Sequence, residues 1–130
     1  MQTPDLRSSV ARVHSLGSAR AGTEVFVAQR LSALALIPLL IWFVTSILSL
    51  IGADYASVVA WIRSPWVTVF LILLMLILLY HALIGLREVI QDYVHHEVLK
   101  AITLVCMQFF VVTIALASVL AVLRVALGGA

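Results

Sequence analysis

One histidine lies inside a long stretch of the chain that carries no charge. His81 follows the apolar run Leu71 to Tyr80 and comes eleven residues before Asp92. Along a helix, that separation is about 16 Å at ~1.5 Å rise per residue. A histidine so deep in apolar sequence must be neutral, and its ring nitrogens need partners, because an unpaired polar group there costs several kcal/mol.

Two interpretations of His81 stand side by side. In the first, its ring makes a hydrogen bond to another helix, through a serine or threonine such as Thr45 or Ser46. In the second, it is a ligand of haem iron, since a neutral imidazole binds iron well. The residue type alone favours neither.

The spacing around His81 is compatible with a flat ligand. Gly85 lies one helical turn from His81, and Glu88 and Asp92 continue the same stripe. Gly85 removes a side chain where a porphyrin would approach the helix, although glycines also serve in helix packing. The other histidines lie in polar segments: His14, His95 and His96. A haem with two axial ligands would therefore need its second ligand from another polypeptide.

Arg30 opens the first apolar stretch, directly after Gln29. An arginine at the end of a span commonly extends its charged head to the membrane surface and fixes the topology. If haem is present, its guanidinium is suited to a propionate, because it grips a carboxylate through two parallel hydrogen bonds.

The pair Asp92-Tyr93 ends the second apolar stretch on its polar side. A tyrosine beside a solvated aspartate is a common interfacial anchor. A quinone ring at the membrane edge also needs a phenol or amide donor for its carbonyl oxygen and a route for protons. Tyr93 would be that donor, with Asp92 beside it. His95, His96 and Glu97 are interpreted as plain loop residues.

Three uncharged stretches must position these residues. They are Leu31 to Ala53, Pro65 to Leu86 and Ala101 to Leu123, and each has about 20 residues or more. That length crosses a ~30 Å hydrocarbon core, and a lone spanning segment must be helical to satisfy its backbone. With 64% hydrophobic and 11% charged residues, the chain is predicted to be an all-α integral membrane protein. Its spans are expected at about 28–53, 65–90 and 98–125, with a short connection at 54–64.

Basic residues predict the orientation, because they concentrate on the cytoplasmic side. Six lie in or beside the N-terminal segment and the second connection: Arg7, Arg12, Arg20, Arg30, Arg87 and Lys100. The opposite side has Arg63 and Arg124. The chain is thus interpreted as one anchor domain, 1–130, whose segment 1–25 is cytoplasmic.

The remaining composition narrows the class and the location. A net charge of +2 is too mild and dispersed for nucleic-acid binding. Cys106 is the single cysteine, so no internal disulfide forms. Asp5 and Glu24 interrupt an N-terminal segment that otherwise has some character of a mitochondrial presequence. A bacterial inner membrane is therefore favoured over the mitochondrial one.

The stretch from His81 to Val94 resembles the signature of the D-type membrane anchor of succinate dehydrogenase. That signature reads H-A-x-x-G-x-x-x-V-x-x-D-Y, and every fixed position is met here. The segment from Gly17 to Ser32 is similar to the region that precedes the first helix in the same family. Arg87 and Glu88 occupy variable positions of the signature and receive no role.

The resemblance implies specific roles. His81 is expected to be the axial ligand of haem b, with Gly85 packing near the ring and Arg30 near the propionates. Tyr93 is expected to hydrogen-bond the ubiquinone carbonyl, with Asp92 as its acidic neighbour. The chain would form half of a haem-bridging heterodimeric helical bundle, with the second histidine supplied by the C-type cytochrome b anchor.

The resemblance also implies the assembly. The iron–sulfur and flavoprotein subunits would dock on the cytoplasmic face, and membrane lipid would surround the helices. This chain alone would hold no catalytic residue, since it has neither a succinate site nor iron–sulfur ligands. The alternatives are an anchor of quinol:fumarate reductase, or a non-redox three-helix membrane subunit in which His81 relays protons or packs.

Overall fold

The protein is built from four helices joined by short connections. The computed structural model describes residues 19–128, with side chains from residue 22 onward. Helix α1 is Ala19–Ser49, α2 is Tyr55–Arg63, α3 is Pro65–Tyr93 and α4 is Glu97–Ala126. The all-α prediction is confirmed. Most of the predicted cytoplasmic segment 1–25, with Arg7, Arg12 and His14, lies outside the described residues.

Three of the helices are long and apolar enough to cross a membrane. They are α1 from Gly22 onward, α3 and α4, with 28, 29 and 30 residues. At ~1.5 Å per residue each is longer than a ~30 Å hydrocarbon core, so their ends reach the polar interfaces. The prediction of three spanning helices is confirmed.

Helix α1 ends earlier than the sequence suggested. It runs unbroken through Pro38 and stops at Ser49, rather than continuing to residue 53. The chain turns away through Gly52, whose φ of 82° lies in the left-handed region that favours glycine. The backbone N–H of Leu50 donates to the carbonyl of Ile47 in this turn. Because α1 ends at Ser49, enough residues remain for a further helix before the second span begins at Pro65.

That further helix, α2, occupies the short connection between the first two spans. Asp54 is its N-cap, and one carboxylate oxygen accepts the backbone N–H of Ser57 at 3.1 Å. Hydrogen bonding to Ser57 holds the pKa of Asp54 below its usual value. The cap satisfies an amide that the first turn of a helix leaves unpaired.

Side chains of α2 fasten it to the ends of the long helices. Trp61 stacks on Trp42 of α1, with ring centroids 6.2 Å apart and planes 20° from parallel. Arg63 donates from Nε to the carbonyl of Val125 at the end of α4, at 3.2 Å. A cation at that position also complements the negative end of the helix dipole. Helix α2 therefore ties α1 and α4 together at the end opposite Tyr93.

Helix α3 lies in the middle of a row. It packs against α1 on one side and α4 on the other, and within the described residues α1 and α4 make no packing contact with each other. Few side chains are buried by this arrangement: Ser32, Leu36, Leu71, Leu74 and Val111. Most of the apolar surface is left for lipid or for other proteins.

Candidate functional site

The contact between α1 and α3 contains a polar cluster centred on His81. The Nδ1 atom of His81 lies 2.9 Å from the hydroxyl oxygen of Ser32. The same hydroxyl donates to the backbone carbonyl of Gln29, one turn earlier in α1, at 2.9 Å. Ser32 is only 6% exposed and is the one buried polar residue among those that the structure describes.

Helical spacing explains why these residues meet. In α1, Gln29, Ser32 and Leu36 follow one another at intervals of three and four, and so share the face that meets α3. In α3, Leu74 and His81 are two turns apart on one face. Leu36 and Leu74 are both buried. The polar cluster therefore continues an apolar seam between the two helices.

Gly85 lies at the same seam. A Cβ atom added there would lie 3.7 Å from Nε2 of Gln29, which is ordinary van der Waals contact. An alanine therefore fits this position within the chain, and the contact with α1 supports the helix-packing interpretation. The role of Gly85 in haem packing stays a prediction.

The second ring nitrogen of His81 remains accessible. Nε2 makes no hydrogen bond within the described residues. The one fully buried side-chain nitrogen or oxygen without a partner there is Oε1 of Gln29. Nε2 of the half-buried His81 must therefore reach the surface of the chain. The ring is held through Nδ1, and its other nitrogen is able to coordinate a metal or bond to another molecule.

The orphaned amide oxygen of Gln29 is itself informative. Leaving a buried acceptor without a hydrogen bond costs about 1–3 kcal/mol. Gln29 lies beside Gly85, and Ser32 bonds only to its backbone carbonyl. The seam therefore has an unused acceptor on the residue that faces Gly85.

Arg30 lies on a different side of α1 from this seam. It comes two positions before Ser32, which corresponds to about 200° around the helix. Its guanidinium carbon lies 4.6 Å from the centre of the Phe26 ring, a cation–π contact. The side chain is exposed and makes no ion pair within the described residues. The structure does not bring Arg30 into contact with His81.

Asp92 and Tyr93 lie at the polar end of α3, both exposed. Tyr93 is the last residue of the helix and is 79% exposed. It is about 18 Å from His81 along the helix axis, at ~1.5 Å per residue. Neither side chain makes a hydrogen bond within the described residues. The phenol and the carboxylate are free to meet another molecule at the membrane surface.

The hydrogen-bond partner of His81 differs from the one that the sequence suggested. The hydroxyl of Thr45 donates to carbonyls of its own helix, those of Ile41 and Trp42, at 2.9 Å each. Neither Thr45 nor Ser46, the two examples named from the sequence, bonds to His81 within the described residues, and another serine, Ser32, takes that place. An inter-helix bond to a serine does exist, as one interpretation held.

The register of the two helices, counted from the ends that the structure gives them, accounts for the contact with Ser32. His81 comes sixteen residues after Pro65, where α3 begins. Counting sixteen residues back from Ser49, where α1 ends, gives position 33, next to Ser32. Two antiparallel helices joined by a compact connection meet at such matched distances. Thr45 lies too near the connection to reach a residue so far along α3.

The second connection contains His95 and His96, both exposed. His96 precedes α4 as its N-cap without a side-chain cap hydrogen bond. Among residues 19–128, no three His, Cys, Asp or Glu side chains come close enough to hold a metal ion. The cluster at His81 is thus the candidate site for a metal-containing group, with a single protein ligand from this chain.

The amino-acid sequence matches known proteins over nearly its whole length. Residues 4–120 match the family model described as succinate dehydrogenase/fumarate reductase transmembrane subunit.

Three similar relatives carry the name succinate dehydrogenase hydrophobic membrane anchor subunit. The one from Rickettsia conorii is 27% identical over 118 residues, 90% of this chain and 94% of the relative. The one from Rickettsia felis is 33% identical, over 72% and 79% of the two chains. The one from Rickettsia bellii is 25% identical, over 92% and 96%. No solved structure gives a significant match.

Proposed function

The chain belongs to the succinate dehydrogenase/fumarate reductase transmembrane subunit family, and we propose that it binds haem b jointly with a second anchor and forms part of a ubiquinone-reduction site. Its place as a multi-pass membrane anchor subunit of the succinate dehydrogenase complex follows from the family and the relatives. The proposal is carried by His81, whose Nδ1 is held by Ser32 while Nε2 has no hydrogen-bond partner within the described residues.

The residues at the α1–α3 seam fit a haem. Metal-bound imidazoles almost always donate their other N–H to a fixed acceptor, which orients the ring. Here Nδ1 of His81 has such a neighbour in Ser32, and Nε2 is accessible. When bound, the haem supplies a one-electron centre within the membrane. Arg30 lies outside the seam, at the entrance of the first span, and its guanidinium, which makes no ion pair within the described residues, would be the partner for a propionate.

A second ligand must come from a neighbouring subunit. Within the described residues, the other histidines are His95 and His96, and both lie outside the helices. A six-coordinate iron would take its second histidine from the C-type cytochrome b anchor. The accessible edge of the His81 ring and the open faces of the helix row suit such a shared site.

The quinone site is assigned to the exposed end of α3. Tyr93 donates its phenol hydrogen to one carbonyl oxygen of ubiquinone, and this bond favours negative charge developing on that oxygen. Oxidation of succinate to fumarate supplies two electrons, and two protons from the cytoplasmic side complete the reduction to ubiquinol. Asp92, beside Tyr93 and equally exposed, accepts and passes protons.

The iron–sulfur and flavoprotein subunits dock near Tyr93. Electrons must reach the quinone from a soluble succinate site, so the docking face is the one that carries the quinone residues. The excess of basic residues beside this face supports a cytoplasmic location for it, as expected in a bacterial inner membrane. The family description also covers fumarate reductase, in which the same groups would work in the reverse direction.

Purification of the intact complex through a tag on this chain tests the proposal. The expected product contains three further polypeptides, and its reduced-minus-oxidised spectrum has the bands of a b-type haem. It also reduces ubiquinone with succinate as electron donor. A complex with these subunits but no haem band would contradict the assignment of His81.

A further inference from the structure

We propose that the hydroxyl of Ser32 is a positioning group that fixes the tautomer of His81. It accepts the Nδ1–H of the imidazole and so leaves the lone pair on Nε2. The inference rests on the proposed function, since it concerns how this chain presents a ligand to haem iron. The role belongs to α1, the helix that does not carry the histidine.

Three atoms in a row determine where the proton lies. The hydroxyl oxygen of Ser32 is 2.9 Å from the carbonyl oxygen of Gln29 and 2.9 Å from Nδ1 of His81. A carbonyl oxygen only accepts hydrogen bonds, whereas a hydroxyl has one hydrogen to donate. When that hydrogen goes to the carbonyl, the hydroxyl oxygen acts as an acceptor toward Nδ1. The proton of the neutral ring then lies on Nδ1.

The opposite assignment makes fewer hydrogen bonds. If Nε2 carried the ring proton, Nδ1 would be an acceptor and the Ser32 hydroxyl would have to donate to it. The hydroxyl would then lose its bond to the Gln29 carbonyl, because its single hydrogen cannot serve both. Of the two 2.9 Å contacts of the Ser32 hydroxyl, only the one to His81 would then be a hydrogen bond. The tautomer with the proton on Nδ1 is therefore the more stable one in a seam that excludes water.

The burial of Ser32 strengthens its effect on the tautomer of His81. Ser32 is 6% exposed, between Leu36 on its own helix and the histidine of α3. Water cannot readily take its place, so loss of the hydroxyl would leave Nδ1–H without an acceptor. Thr45 provides the contrast on the same helix, since its exposed hydroxyl bonds only to carbonyls of α1.

Hydrogen bonding at Nδ1 has a measurable effect on a bound metal. A fixed acceptor orients the ring and makes Nε2 a stronger electron donor, which favours the more oxidised iron. Loss of such a neighbour typically weakens metal binding by about 10–100-fold. Ser32→Ala should therefore raise the midpoint potential of the haem and speed its transfer to a scavenger such as apomyoglobin about tenfold or more.

The test uses the intact purified complex with four variants. Ser32→Ala and Ser32→Cys remove or weaken the acceptor, with cysteine keeping nearly the same volume. Ser32→Thr keeps the hydroxyl, and Thr45→Ala removes a hydroxyl from the same helix away from the histidine. Midpoint potential and haem-transfer rate should change in the first two variants and match the wild type in the last two.

The outcomes separate this inference from the proposed function. A haem-containing wild-type complex whose potential and transfer rate are unchanged in both Ser32→Ala and Ser32→Cys would overturn the role of Ser32 alone. The cysteine variant decides the matter if the alanine variant fails to assemble. A wild-type complex without haem would overturn the proposed function and this inference with it.

Discussion

His81 has two ring nitrogens, and the seam between α1 and α3 engages only one of them. The hydrogen bond to another helix and the ligation of iron, which looked like alternatives, use different nitrogens and are compatible. Ser32 holds Nδ1 in the interior, while Nε2 reaches the surface. His81 can thus pack against α1 and still present a nitrogen for the proposed ligation of iron.

Much of this site follows from the sequence, and some of it does not. The position of His81 within an uncharged run and the motif that ends at Tyr93 identify the residues. Helical periodicity shows which residues share a face but not which face of another helix they meet. For that reason the sequence did not identify Ser32, and the predicted end of α1 at residue 53 placed the register four residues away from the observed one.

Replacing Tyr93 with Phe tests the quinone assignment at the level of one atom. Loss of one hydrogen bond of about 1–1.5 kcal/mol should slow ubiquinone reduction by succinate about tenfold. Electron transfer from succinate to a soluble dye and the haem content should be unchanged. Tyr55→Phe is the matched control, since Tyr55 is similarly exposed at the opposite end of the long helices, where α2 begins. Equal quinone reduction in both variants would remove Tyr93 from the site.

At the scale of elements, the long helices were predictable and the short one was not. Uncharged stretches of about 20 residues leave no alternative to a spanning helix. Helix α2 has nine residues, too few for its sequence alone to specify a stable helix. It depends on the Asp54 cap and on the stacking of Trp61 against Trp42, a contact between distant parts of the chain.

The Asp54 cap predicts a pH dependence confined to α2. Hydrogen bonding to Ser57 lowers the pKa of this carboxylate in the folded chain. Its stabilising effect is therefore fully present above the ordinary pKa of aspartate and is lost as pH falls through the lower folded value. Hydrogen exchange at the first amides of α2 should be faster in Asp54→Ala than in the wild type. Asp54→Asn keeps a capping oxygen that does not titrate.

Exchange in the asparagine variant should be slow and should not depend on protonation at residue 54. Protection of the Ser57 amide that is equal in the alanine and asparagine variants would show that the cap does not stabilise α2. The measurement is local, so the rest of the bundle serves as its internal reference.

As a whole, the chain leaves most of its helix surface without a protein neighbour. Its helices form a row with α3 in the middle, few side chains are buried, and a buried acceptor on Gln29 has no partner within the described residues. A membrane anchor of a multi-subunit complex has this form before its neighbours are added. The partner residues of the proposed haem and quinone sites would belong to other chains, so this sequence does not contain them.

The orientation of the row predicts a labelling pattern. In a Cys106→Ser background, a cysteine placed at His95 should be cytoplasmic, and one placed at Ala56 should be periplasmic. Both positions are exposed at opposite ends of the helices. A membrane-impermeant maleimide added to intact cells should label the Ala56→Cys variant and spare the His95→Cys variant. The reverse pattern would invert the orientation and move the docking face to the periplasm.

If His81 binds haem iron, the haem-to-flavin ratio of the purified complex must depend on this residue. His81→Ala is compared with His95→Ala, which removes an exposed histidine from the connection between α3 and α4. The complex with His81→Ala should assemble with its haem lost or its b-type spectrum altered. The complex with His95→Ala should keep the wild-type ratio and spectrum. A full haem-to-flavin ratio and an unchanged spectrum in His81→Ala would show that His81 is not a ligand of the iron.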